Sequence, residues 1–160
     1  MDAEQALYLA QSRSDLRAYD LLTAADGCHR VHYLQMATEK LAKAYFWRAG
    51  QPLKKQHDYF MKFLRAVGGN GRVGSAVGVK PRDHWEAYVN GILPVAQVIE
   101  AMAPSEAADG PNAEYPWPHE APTDAPASYH FPLEDELVTP RGKRFLDVLR
   151  RLLDRFEQYS

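Results

Sequence analysis

The chain has 160 residues and a formal net charge of −2, with 46% hydrophobic and 25% charged residues. These values are ordinary for one globular domain, so they argue against global disorder and against a second domain. No apolar run approaches the ~20 residues that a membrane-spanning helix needs, and the first residues form no basic leader, so we expect a cytoplasmic protein without a membrane contact. Cys28 is the single cysteine. It fits a reducing compartment and is expected to be a buried or half-buried thiol rather than a nucleophile.

Two long helices are predicted in the first third of the chain. Asp2 and Gln5 resemble a capping box, which predicts a first helix that runs to about Thr23. Gly27 is expected to end it in a left-handed conformation. From Val31, apolar residues recur at steps of three and four, which predicts a second helix with one apolar side. Its other side is charged and carries Glu39, Lys40, Lys43 and Arg48.

A short break at residues 50–52 separates this helix from a third, which is expected to begin near His57. The glycine-rich residues 68–80 are expected to form a flexible connection, neither helix nor strand. They contain the pattern Gly-x-Gly-x-x-Gly at 69–74. The dinucleotide-binding fingerprint needs a strand before that pattern, whereas here a helix precedes it, so we interpret these residues as a loop.

The second half of the chain predicts two more helices with a long connection between them. A fourth helix begins at Asp83, and Pro94 within it predicts a kink or a division into two halves. Residues 104–140 hold eight of the eleven prolines, with aromatic residues among them. The aromatic residues favour a loop packed onto the surface over a free linker. Thr139 followed by Pro140 is typical of a helix start, so the last helix runs from there to the C-terminus.

The pattern as a whole predicts an all-α protein. No stretch shows the strict alternation of apolar and polar residues that is typical of a half-buried strand. We expect a single domain over residues 1–160, an antiparallel bundle of about five helices with a long proline-rich loop before the last one.

Charge is strongly segregated along the chain. Residues 40–82 contain ten basic residues against one acid, whereas residues 83–138 contain eleven acids and neither lysine nor arginine. The first block predicts a surface that attracts phosphate groups, and the second could instead cover it. The candidate phosphate-binding residues form a basic rim: Arg48, Lys54, Lys55, Lys62, Arg65 and Arg72.

The six histidines predict neither a metal site nor a catalytic centre by spacing alone. His29 and His32 lie three apart on a helix, but no neighbouring carboxylate or third histidine completes a ligand set. We therefore expect no metal and no cofactor.

Residues 35–44, Gln-Met-Ala-Thr-Glu-Lys-Leu-Ala-Lys-Ala, resemble the Q-x-A-x-E-K-x-x-K-A helix of the HEPN family. The resemblance continues through Gly50, His57-Asp58-Tyr59, Tyr115-Pro116 and a basic last helix. It implies a helical domain that often forms homodimers and binds nucleotides or RNA, frequently beside a nucleotidyltransferase partner. Ribonucleases of the family carry an arginine followed at four to six residues by histidine, and this chain has no such pair.

Three hypotheses follow. The first is a non-catalytic HEPN-like module that binds a nucleotide, RNA or a nucleotidyltransferase through the basic rim. The second is a metal-independent ribonuclease, as in toxin-antitoxin systems, in which a histidine acts as the base and an arginine stabilises the phosphorane. Its candidate residues are His119, His130, Arg141 and Arg144. The third is a structural homo-oligomer in which the acidic segment covers the basic one.

Overall fold

The structure is a computed structural model that describes residues 1–22, 27–47, 53, 58–79, 82–107, 110–117 and 125–160. Its α-helices are α1 (Ala3–Leu21), α2 (Gly27–Phe46), α3 (Tyr59–Gly68), α4 (Gly71–Ala76), α5 (Arg82–Ala101), α6 (Pro104–Ala107), α7 (Pro132–Val138) and α8 (Pro140–Asp154). Short 3₁₀ helices cover Pro126–Ser128 and Phe156–Gln158. The described residues contain no strand, which confirms the all-α prediction.

Aromatic and aliphatic side chains from most of these helices form one continuous core. Trp85 is completely buried, and its indole Nε1 donates to the carbonyl oxygen of Val67 at 2.7 Å, which ties α5 to the end of α3. Trp117 and Phe131 are also buried. The described parts of the proline-rich segment are therefore packed onto the helices, as predicted.

A seam of polar contacts joins α1 to α2, and we call it the polar seam. Gln5 Nε2 donates to the carbonyl oxygen of Ala44 at 2.9 Å, and Ser12 Oγ donates to that of Ala37 at 2.6 Å. Because the start of α1 meets the end of α2, the two helices run antiparallel. Lys40 Nζ then reaches Asp15 Oδ2 at 2.6 Å.

Part of the charged side of α2 is buried. Glu39 is only 5% exposed. It accepts a hydrogen bond from Gln35 Nε2 at 3.0 Å and forms an ion pair with Lys43. Lys40 is also mostly buried, at 18% side-chain exposure. Within the HEPN-like pattern, Gln35, Glu39 and Lys43 therefore pair with one another along α2, because buried charges need partners, and Lys40 joins α2 to α1.

Two further sequence predictions are wrong. Gly27 does not end a helix but begins α2, and Gly78 is the described glycine with a positive φ. The glycine-rich segment contains α4, capped by Asn70 Oδ1, which accepts from the amide of Arg72 at 3.0 Å. A side chain at Gly74 would come within 2.6 Å of Trp85, so this glycine serves close packing. Helix α5 is not divided into halves, because it continues through Pro94.

Glycine also permits the closest approach between α7 and α8. At Gly142, in the first turn of α8, an added Cβ would collide with the backbone of Glu136 and Leu137. Thr139 caps α8, since its Oγ1 accepts from the amide of Gly142 at 3.1 Å. The two helices are therefore joined by a tight corner, which fixes where the side chains of α7 point relative to α8.

We expect Asp15→Asn to lower the free energy of unfolding by about 2 kcal/mol, because the substitution removes the charge that holds the mostly buried Lys40. The measurement is urea denaturation followed by circular dichroism. Glu157→Gln is the matched control: it removes the pair with Arg13, whose side chains are 38% and 47% exposed, and should cost less than about 1 kcal/mol. Equal losses in the two variants would contradict a structural role for the polar seam.

Candidate anion-binding site

The structure describes three of the six residues of the predicted basic rim. Arg48, Lys54 and Lys55 lie outside the described residues. Lys62 and Arg65, on α3, line one shallow cavity of about 220 Å³. The remaining member, Arg72, is exposed on α4.

The cavity beside Lys62 also contains two carboxylates. Asp58 forms an ion pair with Lys62. Glu100, from the acidic segment, accepts hydrogen bonds from the amides of Phe60 and Met61 at 2.9 and 3.1 Å, which caps the start of α3. Burial raises the pKa of the Glu100 carboxyl. Carboxylates thus share this part of the rim with its cations, which weakens its attraction for an anion.

The alternative catalytic residues have separate partners. His119 lies outside the described residues. His130 Nε2 lies 2.7 Å from Asp135 Oδ2, and the side chains are 66% and 75% exposed. Arg141 Nε donates to Glu136 Oε1 at 2.8 Å, whereas the guanidinium carbon of Arg144 lies 5.1 Å from the ring centre of Tyr88. The ribonuclease hypothesis therefore stays a prediction without an assembled histidine and arginine pair to support it.

A different cavity brings three cations together. It has a volume of about 310 Å³ and lies where α1, α2, α7 and α8 meet; we call it the α1–α8 pocket. The cations are Arg30 in the first turns of α2 and Lys143 and Arg150 on α8. The other lining residues are Tyr19, Asp20, Val31, Glu134, Leu137, Val138 and Leu146.

The spacing of residues along α8 explains why this helix contributes two of the cations. Lys143, Leu146 and Arg150 are spaced by three and four residues, so they lie on one face of the helix. Phe145 and Leu149 lie on the buried face, which turns the cationic edge toward the ends of α1 and α2. Tyr19 and Arg30 meet at that point because the polar seam sets α1 and α2 antiparallel.

Tyr19 forms the floor of the pocket. It is 4% exposed, and the guanidinium carbon of Arg30 lies 5.0 Å from the centre of its ring. Burial raises the pKa of the Tyr19 hydroxyl, and the charges of Arg30 and Arg150 oppose that rise. Tyr19 therefore keeps its proton at neutral pH and adds no negative charge to the pocket.

The three cations differ in how far neighbouring carboxylates already neutralise their charge. Arg150 Nη2 donates to Asp20 Oδ1 at 2.7 Å. Arg30 Nη1 lies 3.6 Å from Glu134 Oε1, which is too long for a hydrogen bond, and its buried Nε has no hydrogen-bond partner among the described residues. Lys143 is exposed and forms no ion pair within the described ranges. The pocket thus retains donors that an outside anion could engage.

The sequence predictions do not include this pocket. They name a basic last helix without a role in binding, and Arg30 is not among the predicted residues. One signal was available: Lys143 and Arg150 share a helix face with an apolar residue between them, which is unusual for a purely solvated face. The adjacency of Arg30 could not be read from the sequence, because it depends on how α2 packs near α8.

No group of three or more His, Cys, Asp or Glu side chains among the described residues is arranged to hold a metal ion. Nor does that part of the chain contain a helix with the length and apolar character to cross a membrane.

Cys28 is buried, as predicted. His32 Nδ1 lies 3.5 Å from Glu114 Oε1, at the limit of a polar contact.

Comparison with family models, with curated proteins and with solved structures finds no match to this chain. The function of this protein is therefore inferred from the geometry of the α1–α8 pocket.

We expect Asp135→Asn to lower the pKa of His130 toward its ordinary value, because the hydrogen bond and the charge of Asp135 are what raise it. The raised folded pKa means that the pair stabilises the fold fully at acid pH and loses this contribution as pH rises through the His130 pKa. The measurement is an NMR titration of the histidine ring resonances in both proteins. Glu136→Gln, which removes a carboxylate bound to Arg141 instead, is the control and should leave the His130 titration in place. An unchanged His130 pKa in Asp135→Asn would refute the pairing.

Proposed function

We propose that this protein is a non-catalytic module that binds a phosphate-bearing ligand, a nucleotide or the end of an RNA strand, in the α1–α8 pocket. The observation that carries the proposal is the convergence of Arg30, Lys143 and Arg150 on one cavity over the neutral hydroxyl of Tyr19. Guanidinium groups match phosphate geometry because their N–H donors form a planar fork, and a lysine adds a mobile point charge.

The size of the pocket limits what it can hold. Ligand cavities usually range from about 300 to 1,000 Å³, and this one, at about 310 Å³, lies at the small end. It fits a phosphate with an adjoining sugar better than a long stretch of nucleic acid. Leu137 and Leu146 supply apolar surface beside the cations, which suits the non-ionic part of such a ligand.

The resemblance of residues 35–44 to the HEPN helix favours a nucleotide or RNA over other phosphate-bearing molecules. On the same resemblance we propose an antiparallel helical bundle that forms a homodimer and acts beside a nucleotidyltransferase in the cytoplasm. Two observations support a non-catalytic module: no histidine of the described ranges lines the pocket, and His130 is paired with Asp135 elsewhere.

We expect Arg150→Gln and Lys143→Gln each to weaken binding about tenfold, since each removes a charged hydrogen-bond donor. The measurement is fluorescence anisotropy with a short RNA that carries a 5′-phosphate. The same RNA with a 5′-hydroxyl should bind more weakly, and AMP in calorimetry separates recognition of a nucleotide from recognition of a strand. Affinity should fall with added salt, because counterions are released on binding.

Lys62→Gln is the matched control, because it removes a cation from the basic rim, which lies outside the pocket. It should leave the affinity within about twofold of the original protein. The proposal is wrong if neither RNA nor AMP binds, or if Lys62→Gln weakens binding while the two α8 substitutions do not. The RNA should remain intact throughout, and cleavage would favour the ribonuclease hypothesis.

A further inference from the structure

Glu134 occupies the inner, positively charged end of the α1–α8 pocket. Its Oε1 lies 3.6 Å from Arg30 Nη1, and its carboxylate rests against Gly27, the first residue of α2. An added Cβ at Gly27 would collide with that carboxylate, so the contact exists because Gly27 has no side chain. The start of α2 also carries the positive end of the helix dipole, which attracts an anion.

The carboxylate therefore lies where an incoming phosphate would gain most. Arg30 is the cation nearest the floor of the pocket, and its guanidinium covers the ring of Tyr19. Two negative groups cannot share this end of the pocket without strong repulsion at low dielectric constant. A phosphate that binds to Arg30 must first displace Glu134.

Displacement requires only a side-chain movement. The Glu134 side chain is 23% exposed, so a different rotamer can carry its carboxylate into solvent. The backbone of α7 can stay in place, because Leu133 and Leu137 are buried and anchor it to the core. The contact that is lost, at 3.6 Å, is longer than a hydrogen bond, so little holds the carboxylate against a competing dianion.

We propose that Glu134 is an internal competitor that occupies the phosphate position of the α1–α8 pocket and leaves it when a phosphate group binds. The inference rests on the proposed function and adds the location of the phosphate, between Arg30 and the start of α2. It also assigns a role to one acid of the segment 83–138, which the sequence analysis considered a cover for basic residues. Glu134 lowers the affinity of the pocket without blocking it.

The test measures the affinity of the full chain for AMP and for the 5′-phosphorylated RNA. Glu134→Gln keeps the shape of the side chain and removes its charge, so we expect binding about fivefold tighter than in the original protein. Gly27→Ala places a methyl group in the position that the carboxylate and the bound phosphate would each occupy, so it should weaken binding. Glu136→Gln is the matched control: it lies on the same helix, pairs with Arg141 and does not line the pocket, so it should bind like the original protein.

The outcomes separate the two proposals. Binding by the original protein with no tightening in Glu134→Gln would overturn the role of Glu134 and leave the proposed function intact. Absence of binding in both proteins would overturn both. Tightening in Glu136→Gln equal to that in Glu134→Gln would show an effect of net charge only and would also refute the internal competitor. Tighter binding in Glu134→Gln alone, with weaker binding in Gly27→Ala, is the result that supports it.

Discussion

The antiparallel pairing of α1 and α2 is the constraint on which the rest of the structure depends. Apolar contacts alone would let two helices slide by a turn, because one leucine replaces another at small cost. The polar seam removes that freedom, since Ser12 and Asp15 each have one partner on α2 that satisfies them. Any other register would leave buried hydroxyl and carboxylate groups without hydrogen bonds, at about 1–3 kcal/mol each.

This register creates the functional end of the molecule. It places Tyr19 and Asp20, at the end of α1, beside Arg30, at the start of α2. Helix α8 then packs its apolar face onto the core and adds Lys143 and Arg150, while the tight corner at Gly142 brings α7 to the wall of the pocket. Four helices thus build a small cavity in which cations outnumber carboxylates.

The helical class and most of the buried face could be predicted from the sequence, because residues such as Leu34, Leu41 and Leu149 repeat with the period of a helix. The buried state of Glu39 could not be predicted, since a charged residue on a helix usually faces water. Helix α4 was missed because glycine is a poor helix former, and its cap at Asn70 and its packing against Trp85 depend on tertiary contacts.

The candidate site was predicted less well than the fold. Sequence reasoning selected cations that are dense along the chain, and Lys62 and Arg65 indeed line one cavity, but carboxylates share it. The cations of the α1–α8 pocket come from helices far apart in sequence, and no local pattern connects Arg30 to Arg150. The packing of the helices brings these cations together, and the hydrophobic periodicity of each helix does not specify how the helices pack.

The most direct test of the account is to map the binding site by NMR. Backbone amide shifts of the isotope-labelled protein would be recorded while AMP or the 5′-phosphorylated RNA is added. The account predicts that the largest changes occur at Tyr19, Arg30, Glu134 and Arg150, with small changes at Lys62, Arg65 and Arg72. Changes centred on those three rim residues, or no changes at all, would contradict it.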